Sequence, residues 1–173
     1  MSLFLRMKNR GVAALATAFP SFGERLASGY RAERQDEGVP WVPVKRSLAA
    51  STIALVTTAG VHHREQQPYD MHDRDGDPSF RELDLERPLD SLMITHDYYD
   101  HADADRDLNV VFPVGRLRDL AAAGEIGAVA RLAYGFMGHI TGRHLETLQR
   151  RTAPEVAARL RKAGVDAVLL APG

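Results

Sequence analysis

Thr152-Ala-Pro-Glu-Val-Ala-Ala-Arg-Leu-Arg-Lys-Ala-Gly164-Val-Asp-Ala-Val-Leu-Leu170 reads as a helix followed at once by a strand. Val156 and Leu160 lie four residues apart on one helical face, Pro154 suits a first turn, and Thr152 is a candidate cap. Gly164 ends the helix predicted over Ala153 to Ala163. Val165 to Leu170 then reads as an apolar strand. A helix closed by glycine and followed by such a strand is half of a right-handed βαβ unit. Ser51-Thr-Ile-Ala-Leu-Val-Thr57 is a second strand, apolar and β-branched as one covered on both faces should be. Leu92-Met-Ile-Thr95 reads as another. The predicted fold is α/β: a three-layer, Rossmann-like (flavodoxin-like), mostly parallel sheet with flanking helices and a long polar insertion.

Outward from these strands, Val110, Val111 and Phe112 anchor a helix predicted over Val114 to Ala123 and stopped by Gly124, and a further strand covers part of Val129 to Tyr134. Residues 62–90, broken by Pro68, Gly76, Pro78 and Pro88, form the insertion, with at most short elements. Near the start, Leu5, Val12, Leu15, Ala16 and Phe19 recur at helical spacing, giving a helix from Leu3 to about Tyr30 that Pro20 and Gly23 can break. Glu33 to Pro43 is a connector in which Pro40 and Pro43 favour an extended course that could tuck Trp41 against the core. The expected organisation is one domain over 1–173, with a helical extension and connector at 1–40 and the α/β core at 41–173.

The chain has 22 basic and 23 acidic residues and a net charge of −1, a balance that hides a strong internal asymmetry. Residues 57–112 hold 14 carboxylates against five arginines, together with five of the seven histidines. Cysteine is absent, which excludes disulfides, thiolate metal ligands and a cysteine nucleophile within these residues. A cytoplasmic location is compatible with that usage. No apolar run approaches the roughly 20 residues needed to cross a bilayer, so no membrane partner is expected. Met1 to Phe22 mimics a secretory signal, but its basic residues are dispersed and no clear cleavage site follows, so an amphipathic surface helix is the preferred reading. Arg143, Arg150, Arg151, Arg159, Arg161 and Lys162 are read as solvating helix faces rather than contacting nucleic acid.

Open parallel sheets collect ligands at the carboxyl ends of their strands. Three such ends, Thr57-Thr58-Ala-Gly60, Thr95-His96-Asp97 and Ala171-Pro172-Gly173, could line one crevice. Thr57, Thr58 and Gly60 form a turn able to bind an anion, or an ordinary tight turn. His62 and His63 point apart if extended, so at most one faces the site. A helical turn would align His96 with Asp100 and Asp97 with His101, as divalent-metal ligands or as a histidine with its orienting carboxylate. The alternative is that these side chains satisfy loop amides. Asp103, Asp105 and Asp107, with Asn109 nearby, alternate like a calcium loop but lack its glycine and closing glutamate, which excludes an EF-hand. Arg81 could hold a carboxylate in a bidentate pair or bridge to an acidic neighbour. No nucleotide fingerprint is present, and a divalent metal is the one cofactor the residues suggest.

Several ordered pieces carry a family resemblance: Trp41-Val-Pro with Ser47-Leu48, Ala54-Leu-Val-Thr-Thr-Ala-Gly-Val-His62, Gly76-Asp-Pro-Ser-Phe-Arg81, His96-Asp-Tyr-Tyr-Asp100, and Asp107-Leu-Asn-Val-Val-Phe-Pro113. Arg116-Leu, Gly124-Glu-Ile-Gly127, Phe136-Met-Gly138 and Gly164-Val-Asp-Ala-Val-Leu-Leu170 complete the series. Together they resemble the glycine/sarcosine/betaine reductase selenoprotein B and D-proline reductase family. The resemblance implies an oxidoreductase subunit that cleaves the α C–N bond of an amino acid, using a selenol or thiol and a dithiol reductant. Family members carry the Cys or Sec motif just past the strand matching Val165 to Leu170, and this chain has none. The nucleophile would then lie past Gly173, come from a Cys- or Sec-bearing partner subunit, or have been lost. On the reductase reading, Thr57, Thr58, Gly60, Arg81 and Asn109 bind a small carboxylate-bearing substrate, and His62, His96 and Asp97 transfer protons. Two alternatives stand beside it. One is a metal-dependent lyase, isomerase or hydrolase using His96, Asp100 and His101, with His62 as a further candidate; the other is a non-catalytic assembly or binding module, with homo-oligomers as a further partner class.

Overall fold

A computed structural model describes residues 3–28 and 42–173. In chain order its elements are α1 (Leu3–Ala18), α2 (Pro20–Ser28), β1 (Thr52–Thr57), β2 (Val61–His63), β3 (Arg81–Asp84), β4 (Leu92–Ile94), α3 (Ala102–Arg106) and α4 (Val114–Ala122). They continue with β5 (Ala128–Val129), β6 (Leu132–Gly135), α5 (His144–Thr147), α6 (Ala153–Lys162) and β7 (Ala167–Ala171). The tuck expected of Trp41 lies outside the described residues.

β1 organises the sheet. Its partners are all parallel: β5 at its start and β6 at its end on one side, β7 along the other. β3 adds on the far side of β6 as an antiparallel edge, so the sheet is mostly parallel. Alternation along β1 feeds two apolar layers. Ile53 and Leu55 pack in a cluster with Val114 and Leu117 of α4, Phe112 and Ile126. Ala54 and Val56 pack in another with Val156 and Leu160 of α6 and with Tyr134 and Phe136. Gly124 and Gly164, at φ 75° and 73°, end α4 and α6 as the sequence predicts.

Three expectations need correction. Leu92 to Thr95 does form a strand, but β4 pairs antiparallel with β2 in a separate two-stranded ribbon; an apolar run records burial, not the partner. The strand expected over part of Val129 to Tyr134 is present as β6, with β5 ending at Val129 just before it. Residues 96–100 are irregular rather than helical, so the expected His96–Asp100 and Asp97–His101 alignments do not form. Thr152 does not cap α6. Its φ and ψ of −74° and −42° are helical, because a π-helical turn over Leu148–Thr152 runs α5 straight into α6.

The outer edge of β7 is open, with Val168 40 %, Leu169 39 % and Leu170 70 % exposed. No helix among the described residues is long and apolar enough to cross a membrane.

Candidate functional site

The end of β1 turns sharply because Thr57 organises it. Its hydroxyl donates to Val111 O (2.9 Å) and accepts from Ala59 N (3.1 Å), in a fully buried position. Gly60 follows at φ 75°, and a Cβ there would sit 2.5 Å from Thr95 O. Its own amide donates to Phe136 O and its carbonyl accepts from Thr95 N. The glycine is therefore required by the crossing of the 95–96 segment, and both its backbone groups are already engaged. Thr58 faces outward from the turn. Its amide donates to Ala171 O (3.1 Å) and its hydroxyl accepts from Gly173 N (3.1 Å), tying the ends of β1 and β7 together.

His96 reaches this point from the other side. A Cβ on Gly138 would lie 3.1 Å from Gly173 O, 3.1 Å from Thr58 O and 3.5 Å from His96 Nε2. Thr58, His96 and Gly173, one residue from each expected strand-end motif, thus converge around Gly138. His96 is buried, and each ring nitrogen faces a backbone donor, Tyr98 N at Nδ1 (3.1 Å) and Gly138 N at Nε2 (3.2 Å), of which the neutral ring accepts from one at a time. An imidazolium needs acceptors at both positions, so this setting favours the neutral ring. Burial, and then the nearby His139 and His101, lower its pKa to about 4 against the opposing charge of Asp97. Asp97 is likewise buried beside it. His96 suits a hydrogen-bond acceptor or a base better than an acid.

The remaining expected residues have structural partners. His62 is fully buried. His63 O can only accept, so His62 Nδ1 donates to it (2.7 Å) and Nε2 accepts from the Thr95 hydroxyl (2.8 Å). His63 is equally fixed: Nε2 accepts from Asp84 N (3.1 Å), and Nδ1 donates to Ser91 Oγ (2.9 Å). Both pKa values are lowered, chiefly by burial. Arg81 donates to Gln67 O, Pro68 O, Phe80 O and Ser79 Oγ, pairs with Asp77 at 3.5 Å, and lies over the Tyr69 ring. Its guanidinium clamps the insertion instead of facing the crevice. Asn109 Oδ1 accepts from Gly115 N (2.9 Å), capping the first turn of α4. Asp100 accepts from Ala102 N, and His101 pairs with Asp105 at 2.8 Å. Among the described residues no three histidine or acidic side chains are grouped to hold a metal ion, so the trio His96, Asp100 and His101 is not assembled.

A second polar region was not foreseen. Loop 70–77 clips onto loop 137–144: Thr141 N donates to Asp75 O, His139 Nε2 to Arg74 O (3.0 Å), and Asp73 accepts from Arg143 and from His144 Nε2 (2.9 Å). These bonds hold the Asp73 pKa below the usual carboxylate range, with His144 the largest cause. Gly76, at φ 86°, lies so close to His139 O that no Cβ fits. His139 also stacks on Tyr98, with ring centres 4.0 Å apart, which joins this region to the His96 loop. His139 and His144 are the two histidines outside 57–112, and the 71 residues between Asp73 and His144 leave no local signal. Gly76 and Gly142, both at positive φ, were the available hints.

A family model described as glycine/sarcosine/betaine reductase selenoprotein B matches residues 8–172. The chain belongs to this family. Among curated members of the glycine and D-proline reductase systems, it is 39 % identical over 133 residues to the D-proline reductase subunit gamma of Acetoanaerobium sticklandii, covering 77 % of this chain and 53 % of that one. It is 32 % identical over 155 residues to the betaine reductase complex component B subunit beta of Peptoclostridium acidaminophilum, covering 86 % and 33 %. Against the glycine reductase complex component B subunit gamma of Carboxydothermus hydrogenoformans it is 29 % identical over 136 residues, covering 76 % and 30 %. The chain thus spans between 30 % and 53 % of the length of these relatives. No solved structure gives a significant match.

Proposed function

We propose that this chain acts within an amino-acid reductase complex, receiving a small carboxylate-bearing metabolite where the ends of β1 and β7 meet the His96 loop. The observation that carries this reading is the packing of His96 with Thr58 and Gly173 around Gly138, beside the carboxyl ends of the parallel strands β1 and β7, where open α/β sheets take ligands. The flanking clusters of α4 and α6 support a three-layer, Rossmann-like frame. In the reaction a dithiol gives two electrons and two protons and becomes a disulfide. The α C–N bond breaks, carbon gains a hydrogen, and the amine leaves with the other proton. The chain contains no cysteine, so the attacking sulfur or selenium belongs to a partner subunit or to another part of the polypeptide. Thr58 contributes a hydroxyl at the rim, neutral His96 accepts a hydrogen bond, and Asp97 lies buried beside it. A cytoplasmic location fits chemistry that runs on a dithiol.

The test supplies the protein with dithiothreitol and the thiol- or selenol-bearing subunit of a glycine or D-proline reductase complex, and measures the deaminated product. Turnover that requires both and falls at least about tenfold in His96→Ala is expected. A second reading, a non-catalytic assembly module, is favoured by the missing cysteine; failure of every combination to release product would leave that one standing.

A further inference from the structure

The carboxylate of such a metabolite needs a cation, and the donors of Arg81 are all committed to the insertion. Arg74 is different. It lines an open cleft of about 830 Å3 between loops 70–77 and 137–144, and among the described residues its guanidinium makes no hydrogen bond or ion pair. Only its backbone carbonyl is used, by His139. Arg143 at the same cleft is held by Asp73 and Asp75, which leaves Arg74 as the cation there with its full charge to offer.

Asp70 lines the cleft as well. Its Oδ1 accepts from His72 N (2.7 Å), and among the described residues it meets no cation. The cleft therefore presents one unneutralised guanidinium and one unneutralised carboxylate, the charge pattern of a zwitterion in reverse. His139 also lines the cleft and stacks on Tyr98, whose amide in turn meets His96. The charge of Arg74 is felt at the Tyr98 phenol. There burial, then Asp97 and Asp73, raise the pKa, and Arg74 opposes them.

We propose that Arg74 holds the carboxylate and Asp70 the ammonium group of a small zwitterionic amino acid, bound against the His139–Tyr98 stack beside the His96 crevice. The assignment rests on the reading above that the protein takes a small carboxylate-bearing metabolite. A guanidinium gives a planar, two-pronged match to a carboxylate that an amide analogue cannot use.

Calorimetric titration of the intact protein with glycine, N-methylglycine and proline, and with the carboxamide of each, tests it. The wild type should bind at least one acid at least about tenfold more tightly than its amide. Arg74→Gln should remove that difference by weakening the acid and leaving the amide unchanged, and Arg74→Lys should restore part of it. Undiminished acid binding by Arg74→Gln would overturn the assignment and leave the proposed function standing. Equal binding of acid and amide by the wild type would also overturn it, since the carboxylate would then go unrecognised. A wild type that binds none of the six probes would overturn both.

Discussion

His96 is a histidine removed from acid chemistry by two backbone amides. The sign of its effect on stability follows from the direction of its shift. In an unfolded chain histidine titrates near ~6.5, whereas folded His96 titrates at about 4. Between these values the unfolded chain takes up a proton that the folded chain refuses. The stability this group contributes is thus complete above pH ~6.5 and is lost as pH falls toward 4. The shift corresponds to on the order of 3 kcal/mol. His62 and His63, also lowered, act in the same direction. Urea unfolding of the wild type should weaken between pH 7 and 4.5, and His96→Gln, which cannot titrate, should lose less over the same window. Parallel curves for the two proteins would show that His96 is not the group responsible.

Among the elements, those built on local pattern were legible and those built on distant pairing were not. The apolar run of β1, the helices closed by Gly124 and Gly164, and the strand after Gly164 follow from residues within one or two turns of each other. β3 escaped notice because Arg81-Glu-Leu-Asp84 buries only Leu83 fully and reads as solvated loop; what makes it a strand is β6, about 50 residues later. The same limit divides the site. Thr58 and Gly173 meet because the ends of neighbouring parallel strands lie together, whereas His96 arrives from the separate β2–β4 ribbon, and Arg74 and His139 come together through loop-to-loop bonds that no spacing announces.

The π-helical turn between α5 and α6 has its own signature. It places Thr152 mid-helix, and among the described residues the buried Thr152 hydroxyl has no hydrogen-bond partner. Replacing an unmet buried hydroxyl with a methyl removes a desolvation cost of about 1 kcal/mol or more. Thr152→Val should therefore unfold at equal or higher temperature than the wild type. A loss of more than about 1 kcal/mol would mean that the hydroxyl acts as the cap its sequence position first suggested.

At the scale of the whole molecule, β1 takes all its sheet partners from far along the chain. Thr52 pairs with Ala128, Val56 with Tyr134, and Thr57 with Ala171. Thr52 N donates to the Asp166 carboxylate 114 residues away. During synthesis the strand at the heart of the sheet leaves the ribosome with nothing to pair with, and waits while more than seventy further residues are made before β5 and β6 emerge. At roughly 5–20 residues per second, that is an interval of several seconds or more in which an apolar strand stands open to aggregation or to a chaperone. Refolding should be slow for the same reason, because the loop must close before any ladder bond repays the lost entropy. Stopped-flow circular dichroism should find the main folding phase in the range of milliseconds to seconds; a phase completed in microseconds would mean that the central strand is not what the chain waits for.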